Sequence, residues 1–407
     1  MKVNFVITHL SHGSPGSFYR PYEIVKQLSN QGIDAKIFTP FEHDVKNFKD
    51  IQMKLLPNIG NKLSVSNFAY NSLRSIIYNK HISKLVSYDK LLKSSSDRIA
   101  KSLDTLDFNH HDIIQAEQEV AALACLKFGK KNNIPIIVDV HNIWPEELVS
   151  FGLLKRSSNV FKHLMNLEKE IIEEASAIVV VNDFMKDYLV SNFNADKKNI
   201  IIIPPGGELL YKDDVNIINT QRFQSKKIVY AGLVNPREHV DLFVKSIPHI
   251  KKAFPKTEFI ISEKGENVKE IKSLCKQLKI NPRFYWHQSR EKARQMLKTC
   301  YVGALPSRDD IPRKLGTPLK LLEYISNLIP VVANDVGSWC NVIKKHEIGI
   351  LTNDDPKEFS NAIMTLLSDE DLYHKMQINM IDLLKDTFSW KNHVEKTLLP
   401  LYEKISS

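Results

Sequence analysis

Short runs rich in valine and isoleucine recur along this chain, and nearly every one is followed by a turn and then by a segment with helical periodicity. That alternation admits few architectures, because strand–helix–strand units place successive strands parallel in one sheet with helices on its faces. The first instance is Val3 to Ile7, which ends in Thr8-His9-Leu10-Ser11-His12-Gly13-Ser14-Pro15-Gly16-Ser17. An amphipathic segment from Tyr19 to Asn30 follows, with Tyr22, Val25 and Leu28 on one side, Gly32 as its C-cap and Ala35 to Thr39 as the next strand. Strand, Gly/Ser loop, helix, strand is the opening of a nucleotide-binding type of α/β domain. Asp112 to Gln115, Ile134 to Val138, Ala177 to Val181 and Asn199 to Ile203 continue the strands, with helices between them.

The segment from Leu210 to Lys227 is polar and loses periodicity, after which the pattern restarts. Strands are expected at Ile228 to Ala231, Glu258 to Ser262, Arg283 to Trp286, Val302 to Leu305, Val331 to Ala333 and Gly349 to Leu351. A last helix runs from Trp390 to Lys404. At 407 residues the chain exceeds one ordinary core. The reading is two successive α/β halves, 1–208 and 209–387, with a final helix at about 388–407.

Hydrophobic residues at 43% and charged residues at 25% are globular values and exclude a disordered chain. The four cysteines show no metal or redox spacing, which fits reduced thiols and a cytoplasmic setting. No apolar run approaches the roughly 20 residues of a membrane span. Met1 to Ile7 lacks the apolar region and cleavage site of a signal peptide. A net charge of +9 points to an anionic partner: nucleotide phosphates, nucleic acid or an acidic lipid surface.

Candidate chemistry gathers in the second half at Pro318-Leu319-Lys320-Leu321-Leu322-Glu323-Tyr324. Pro318 suits the first turn of a helix, and Lys320 and Glu323 share one face near its start. Such a pair is either an ordinary solvated ion pair or, beside the turn Val336-Gly337-Ser338, part of a site for phosphates and hydroxyls. In the first half, Glu117, Asp139 and His141 fall at the carboxyl ends of strands, where open parallel sheets bind ligands. Gly13 and Gly16 permit close backbone approach to a ligand or simply make a turn. No Gly-x-Gly-x-x-Gly fingerprint and no Gly-Lys-Ser/Thr phosphate loop is present. Asp213-Asp214, Asp309-Asp310 and Asp354-Asp355 read as solvated turns without ligand partners, so no metal site is expected. Between Lys54 and Lys101, nine basic residues face only Asp89 and Asp97. This stretch is read either as an anionic membrane-surface contact or as a domain-packing helix with a solvated basic face. No nucleic-acid-binding motif accompanies the charge.

The ordered set of motifs resembles the retaining glycosyltransferases of family 4. The likeness rests on Val229-Tyr230-Ala231-Gly232, Ala304-Leu305-Pro306-Ser307, Pro318-x-Lys320-x-x-Glu323-Tyr324, Pro330-Val331-Val332-Ala333 through Val336-Gly337, and Asp139-x-His141-x-x-Trp144-Pro145-Glu146. The resemblance implies the GT-B fold, an α/β fold of two facing Rossmann-like domains with a C-terminal helix crossing back to the N-terminal one. It implies an acceptor-binding first domain and a nucleotide-sugar-binding second domain, and transfer to a glycan or lipid-linked acceptor at the cytoplasmic membrane face. His141, Arg237 and Lys320 would be the catalytic set, Arg237 and Lys320 holding the diphosphate. Gly13, Gly16, Gly232, Glu323, Val336, Gly337 and Ser338 would contact the donor, Glu323 through the ribose hydroxyls. Glu117 and Asp139 would lie on the acceptor side. No metal and no nucleic acid are expected. Leu315 stands where the family's first motif glutamate lies, Arg237-Glu238 follows Gly232 where many relatives have a lysine, and Ser262-Glu263-Lys264-Gly265 replaces a Gly-x-Gly turn. A nucleotide-sugar epimerase and a non-catalytic polyanion- or membrane-binding protein are the other readings.

Overall fold

The computed structural model describes residues 1–8, 15–40, 48–57, 88–208, 210, 222–286 and 290–406. Gly13, Asp213-Asp214, most of the basic stretch (58–87) and most of the polar segment after Leu210 lie outside the described residues.

Two compact units divide the chain: Met1–Pro204 with Trp390–Ser407, and Pro205–Ser389. The first unit carries a seven-stranded parallel sheet in the order β3-β2-β1-β4-β5-β6-β7, formed by β1 (Lys2–Ile7), β2 (Asp34–Thr39), β3 (Met53–Leu55), β4 (Ile113–Glu117), β5 (Ile136–Val140), β6 (Ala177–Val180) and β7 (Ile200–Ile202). Its central strands are buried along their whole length, as continuous Val/Ile runs require when helices cover both faces. Asp139 lies inside β5 because Ile134 and Pro135 precede the strand, which starts at Ile136.

The second unit carries a six-stranded parallel sheet in the order β10-β9-β8-β11-β12-β13: β8 (Lys227–Tyr230), β9 (Phe259–Ser262), β10 (Arg283–Tyr285), β11 (Cys300–Leu305), β12 (Val331–Asn334) and β13 (Gly349–Thr352). Two short helices here escape periodicity. Ile311–Leu315 is capped by Asp310, and Ser338–Lys345 starts where a turn alone is expected. Asp309-Asp310 and Asp354-Asp355 are more than solvated turns. Asp310 accepts from the Arg313 amide, Asp355 from the amides of Lys357 and Glu358, and Asp354 pairs with His239 at 2.6 Å.

The chain's end belongs to the first unit. Trp390, Val394, Leu398 and Tyr402 join the apolar cluster formed by β1, β2 and the Pro15–Asn30 helix. Among the described residues, no helix is long and apolar enough to cross a membrane.

Candidate active site

In each sheet the strand order reverses direction once, between β1 and β4 and between β8 and β11. Loops leave such a switch point in opposite directions, so a crevice opens there at the carboxyl ends of the strands. The chemistry-bearing residues of both units gather at these two places.

In the first unit, Glu117 ends β4 and lies in register with Asp139 on β5. His141, two positions after Asp139, returns to the same side of the sheet. Its Nε2 lies 3.0 Å from Glu117 Oε2 and 3.0 Å from Asp139 Oδ1. Both carboxylates are fully buried. Gln118, directly after Glu117, has a positive φ of 67°, so the strand leaves the sheet through a costly turn. Burial alone would favour neutral imidazole, but Asp139 and Glu117 outweigh it and raise His141 from 6.5 to about 9. Burial and then Asp139 raise the Glu117 carboxyl. Burial acts the same way on Asp139, but Arg20 and His141 overcome it and hold that carboxyl below its ordinary value.

Arg20 supplies the balancing charge, and periodicity gave no sign of its role. Its Nε donates to Asp139 Oδ2 at 2.8 Å and its Nη1 to the Ile203 carbonyl at 2.8 Å. Gln115 donates to the same Asp139 oxygen at 3.1 Å and accepts from the Tyr402 hydroxyl at 2.6 Å. Glu117, Asp139 and His141 also have the right groups for metal ligation, their donor atoms all lying within 4.8 Å of one another. A divalent cation would have to displace the His141 proton from a cluster that already sets two cations against two carboxylates.

In the second unit, Pro318 precedes the Leu319–Ser326 helix, and Lys320 and Glu323 turn to different partners. Lys320 Nζ forms a buried ion pair with Glu238 Oε2, while Glu323 Oε2 lies 3.5 Å from Arg294 Nε. The solvated Lys320–Glu323 pair is thus replaced by two contacts reaching other elements. Glu238 also binds Arg313 through Oε1 and receives the Tyr230 hydroxyl at 3.2 Å. Burial would raise the Glu238 carboxyl, but Lys320 and then Arg313 outweigh it and lower it. Lys320 shifts down, first from burial, with Glu238 opposing. Arg237, only 8% exposed, has Nε 3.6 Å from Asp310 Oδ2.

Glycines make room for this cluster. A Cβ on Gly232 would stand 2.5 Å from Lys320 Cε, so the lysine stem passes over a bare backbone. Gly337 has φ +92°, and a Cβ there would meet the Arg313 carbonyl at 2.7 Å. Gly337 caps the Ser338–Lys345 helix, and among the described residues the buried Ser338 Oγ at its start has no hydrogen-bond partner. Val336 is buried, and so is Leu315 at 4% exposure. Gly16 lies in the first turn of the Pro15–Asn30 helix.

Sequence reasoning missed Glu238, Arg313 and Tyr230 as partners of Lys320. The available signal was the carboxylate directly beside Arg237.

The Glycosyltransferase Family 4 model matches residues 20–209, and the Glycosyl transferases group 1 model matches residues 216–382. The chain belongs to the family 4-like glycosyltransferases and has the GT-B fold. It is similar to the D-inositol 3-phosphate glycosyltransferase of Corynebacterium kroppenstedtii, 23% identical over 254 residues that make up 58% of this chain and 55% of the relative. The protein of that name from Nocardioides sp. is 18% identical over 316 residues, 71% of this chain and 66% of the relative. The chain therefore spans between about half and two thirds of the curated relatives it matches. Among solved structures, sucrose-phosphate synthase from Thermosynechococcus elongatus superposes with TM-score 0.72 at 15% identity, covering 100% of this chain and 99% of that one. Anabaena HepE in complex with UDP gives TM-score 0.69 at 14% identity, covering 99% of this chain and 100% of that one. At such identities the likeness is one of fold.

Proposed function

We propose that this glycosyltransferase moves a hexose-type sugar, with retention of configuration, from a nucleotide-sugar to a glycan or lipid-linked acceptor. The observation that carries this reading is the buried Lys320–Glu238–Arg313 cluster at the strand-order switch of the second sheet. Breaking a sugar–phosphate bond leaves a nucleoside diphosphate, whose growing negative charge must be stabilised. Fixed cations and helix-start amides do this without reorganising, each worth about 2.7–4 kcal/mol by analogy with oxyanion donors. Lys320 and Arg237 would hold the diphosphate beside the amides and Ser338 hydroxyl at the start of the Ser338–Lys345 helix. Glu323 would take the ribose hydroxyls. HepE, of the same fold, binds UDP, which favours a uridine donor.

On the acceptor side, His141 remains an imidazolium held by Glu117 and Asp139 at neutral pH. Such a fixed cation suits a hydroxyl-rich or phosphorylated acceptor. The reaction would need no metal, because protein cations neutralise the departing diphosphate. Peripheral attachment to an anionic membrane through 54–101 completes the reading.

A panel of nucleotide-sugars, scored for diphosphate release with and without chelator and with membrane lipid extracts as acceptors, tests it. The expected result is acceptor-dependent release from one class of donor, indifferent to chelator. Loss of activity with chelator overturns the metal-free chemistry, and isomerised donor without acceptor makes the protein an epimerase instead.

A further inference from the structure

Glu238 is a buried carboxylate set between the Lys320 ammonium and the Arg313 guanidinium. We infer that Glu238 is the positioning residue of the donor site, locking the Lys320 ammonium and the Arg313 guanidinium in place for the donor diphosphate. The inference rests on the reading that Lys320 binds that diphosphate.

Three contacts fix the carboxylate. Oε2 meets Lys320 Nζ and the Tyr230 hydroxyl, and Oε1 meets Arg313. Asn235 holds the backbone of the Pro236–Glu238 turn by accepting from the Arg237 amide at 3.0 Å. Glu238 is therefore a rigid anchor, 5% exposed, joining the turn after β8 to the Ile311–Leu315 and Leu319–Ser326 helices. The glutamate draws in two cations from two other elements, so the positive charge of the cluster comes from the Ile311–Leu315 and Leu319–Ser326 helices.

The arrangement also sets protonation. Lys320 faces Glu238 and Arg237 from the turn, Arg313 from the Ile311–Leu315 helix and the Tyr230 ring from β8. Burial, Arg313 and Arg237 all favour the neutral amine, and Glu238 opposes them. Removing the carboxylate charge leaves a buried lysine among cations, which loses its proton more readily.

Calorimetric titration with UDP of the wild type, Glu238→Gln, Glu238→Asp and Lys320→Met, at pH 6 and pH 8, tests this. Circular dichroism and thermal melts first establish that each variant is folded. Expected is roughly tenfold or greater weakening in Glu238→Gln at pH 8, the scale of one charge-assisted contact, with recovery relative to wild type at pH 6. Glu238→Asp keeps the charge, so its binding does not change between pH 6 and pH 8, but its shortened carboxylate no longer reaches both cations and its affinity falls several-fold at both. Wild-type or tighter binding by Glu238→Gln at pH 8, while Lys320→Met binds weakly, overturns the positioning role and leaves the donor site standing. Wild-type binding by Lys320→Met removes the donor-site reading and this inference with it. Should Glu238→Gln not fold, an aspartate variant that binds weakly yet melts like wild type carries the same support, because the shortened carboxylate no longer reaches both cations. An aspartate variant that binds UDP as tightly as wild type beside an unfolded glutamine variant assigns Glu238 to folding alone.

Discussion

His141 is held by two buried carboxylates at 3.0 Å each, and that geometry fixes how the first unit responds to pH. Its folded-state pKa, about 9, lies above the ordinary 6.5. The contribution to stability is therefore complete below pH 6.5 and disappears as pH rises through 9. Thermal melts should show a midpoint that falls between pH 6.5 and 9, and His141→Asn should flatten that slope. An equal slope in wild type and variant contradicts the bridging role. At this scale the sequence was legible only in part. Glu117, Asp139 and His141 stand out because chain order and strand ends place them, whereas Arg20 sits on an amphipathic helix whose periodicity gives no reason to single it out. Glu238 was legible as a departure, but its partners Lys320 and Arg313 are 82 and 75 positions away. No local pattern encodes a contact of that range.

The Leu319–Ser326 helix shows why the motif has its spacing. The Tyr324 hydroxyl accepts from the Ala231 amide at 2.9 Å, and its ring lies where a Cβ on Gly303 would stand, 2.6 Å away. Tyr324 thus pins the helix to β8 and β11, which places Lys320 over Gly232. At the other end, the buried Arg222 donates to the carbonyls of Lys298, Asn327 and Leu328, a cation at a helix C-terminus. Arg222 falls in the segment that reads as aperiodic, so its anchoring was invisible in sequence. Two glycine variants separate the helix's roles. Gly303→Ala should destabilise the second unit by about 1–3 kcal/mol, because the ring is buried and cannot yield. Gly232→Ala crowds Lys320 Cε at 2.5 Å and the buried Tyr230 hydroxyl at 3.1 Å, so it should push the lysine from its place and weaken UDP binding several-fold. Equal affinities in Gly232→Ala and wild type would show that the lysine amine need not lie there.

The whole molecule divides into two units of like topology, and the last segment of chain completes the first of them. Strand alternation made that architecture legible, since buried parallel strands are continuous apolar runs. What sequence could not show is how the end of the chain reaches the candidate site. The Tyr402 hydroxyl donates to Gln115, which donates to Asp139 beside His141. Tyr402→Phe should cost about 1 kcal/mol of stability, visible as a lower melting midpoint. The most direct test of the account is acceptor-dependent release of nucleoside diphosphate by folded wild type, Lys320→Met and Glu323→Gln. The account predicts transfer by wild type, with at least a hundredfold loss in Lys320→Met, about 2.7 kcal/mol or more, and a smaller but clear loss in Glu323→Gln. Wild-type turnover by both variants would contradict it.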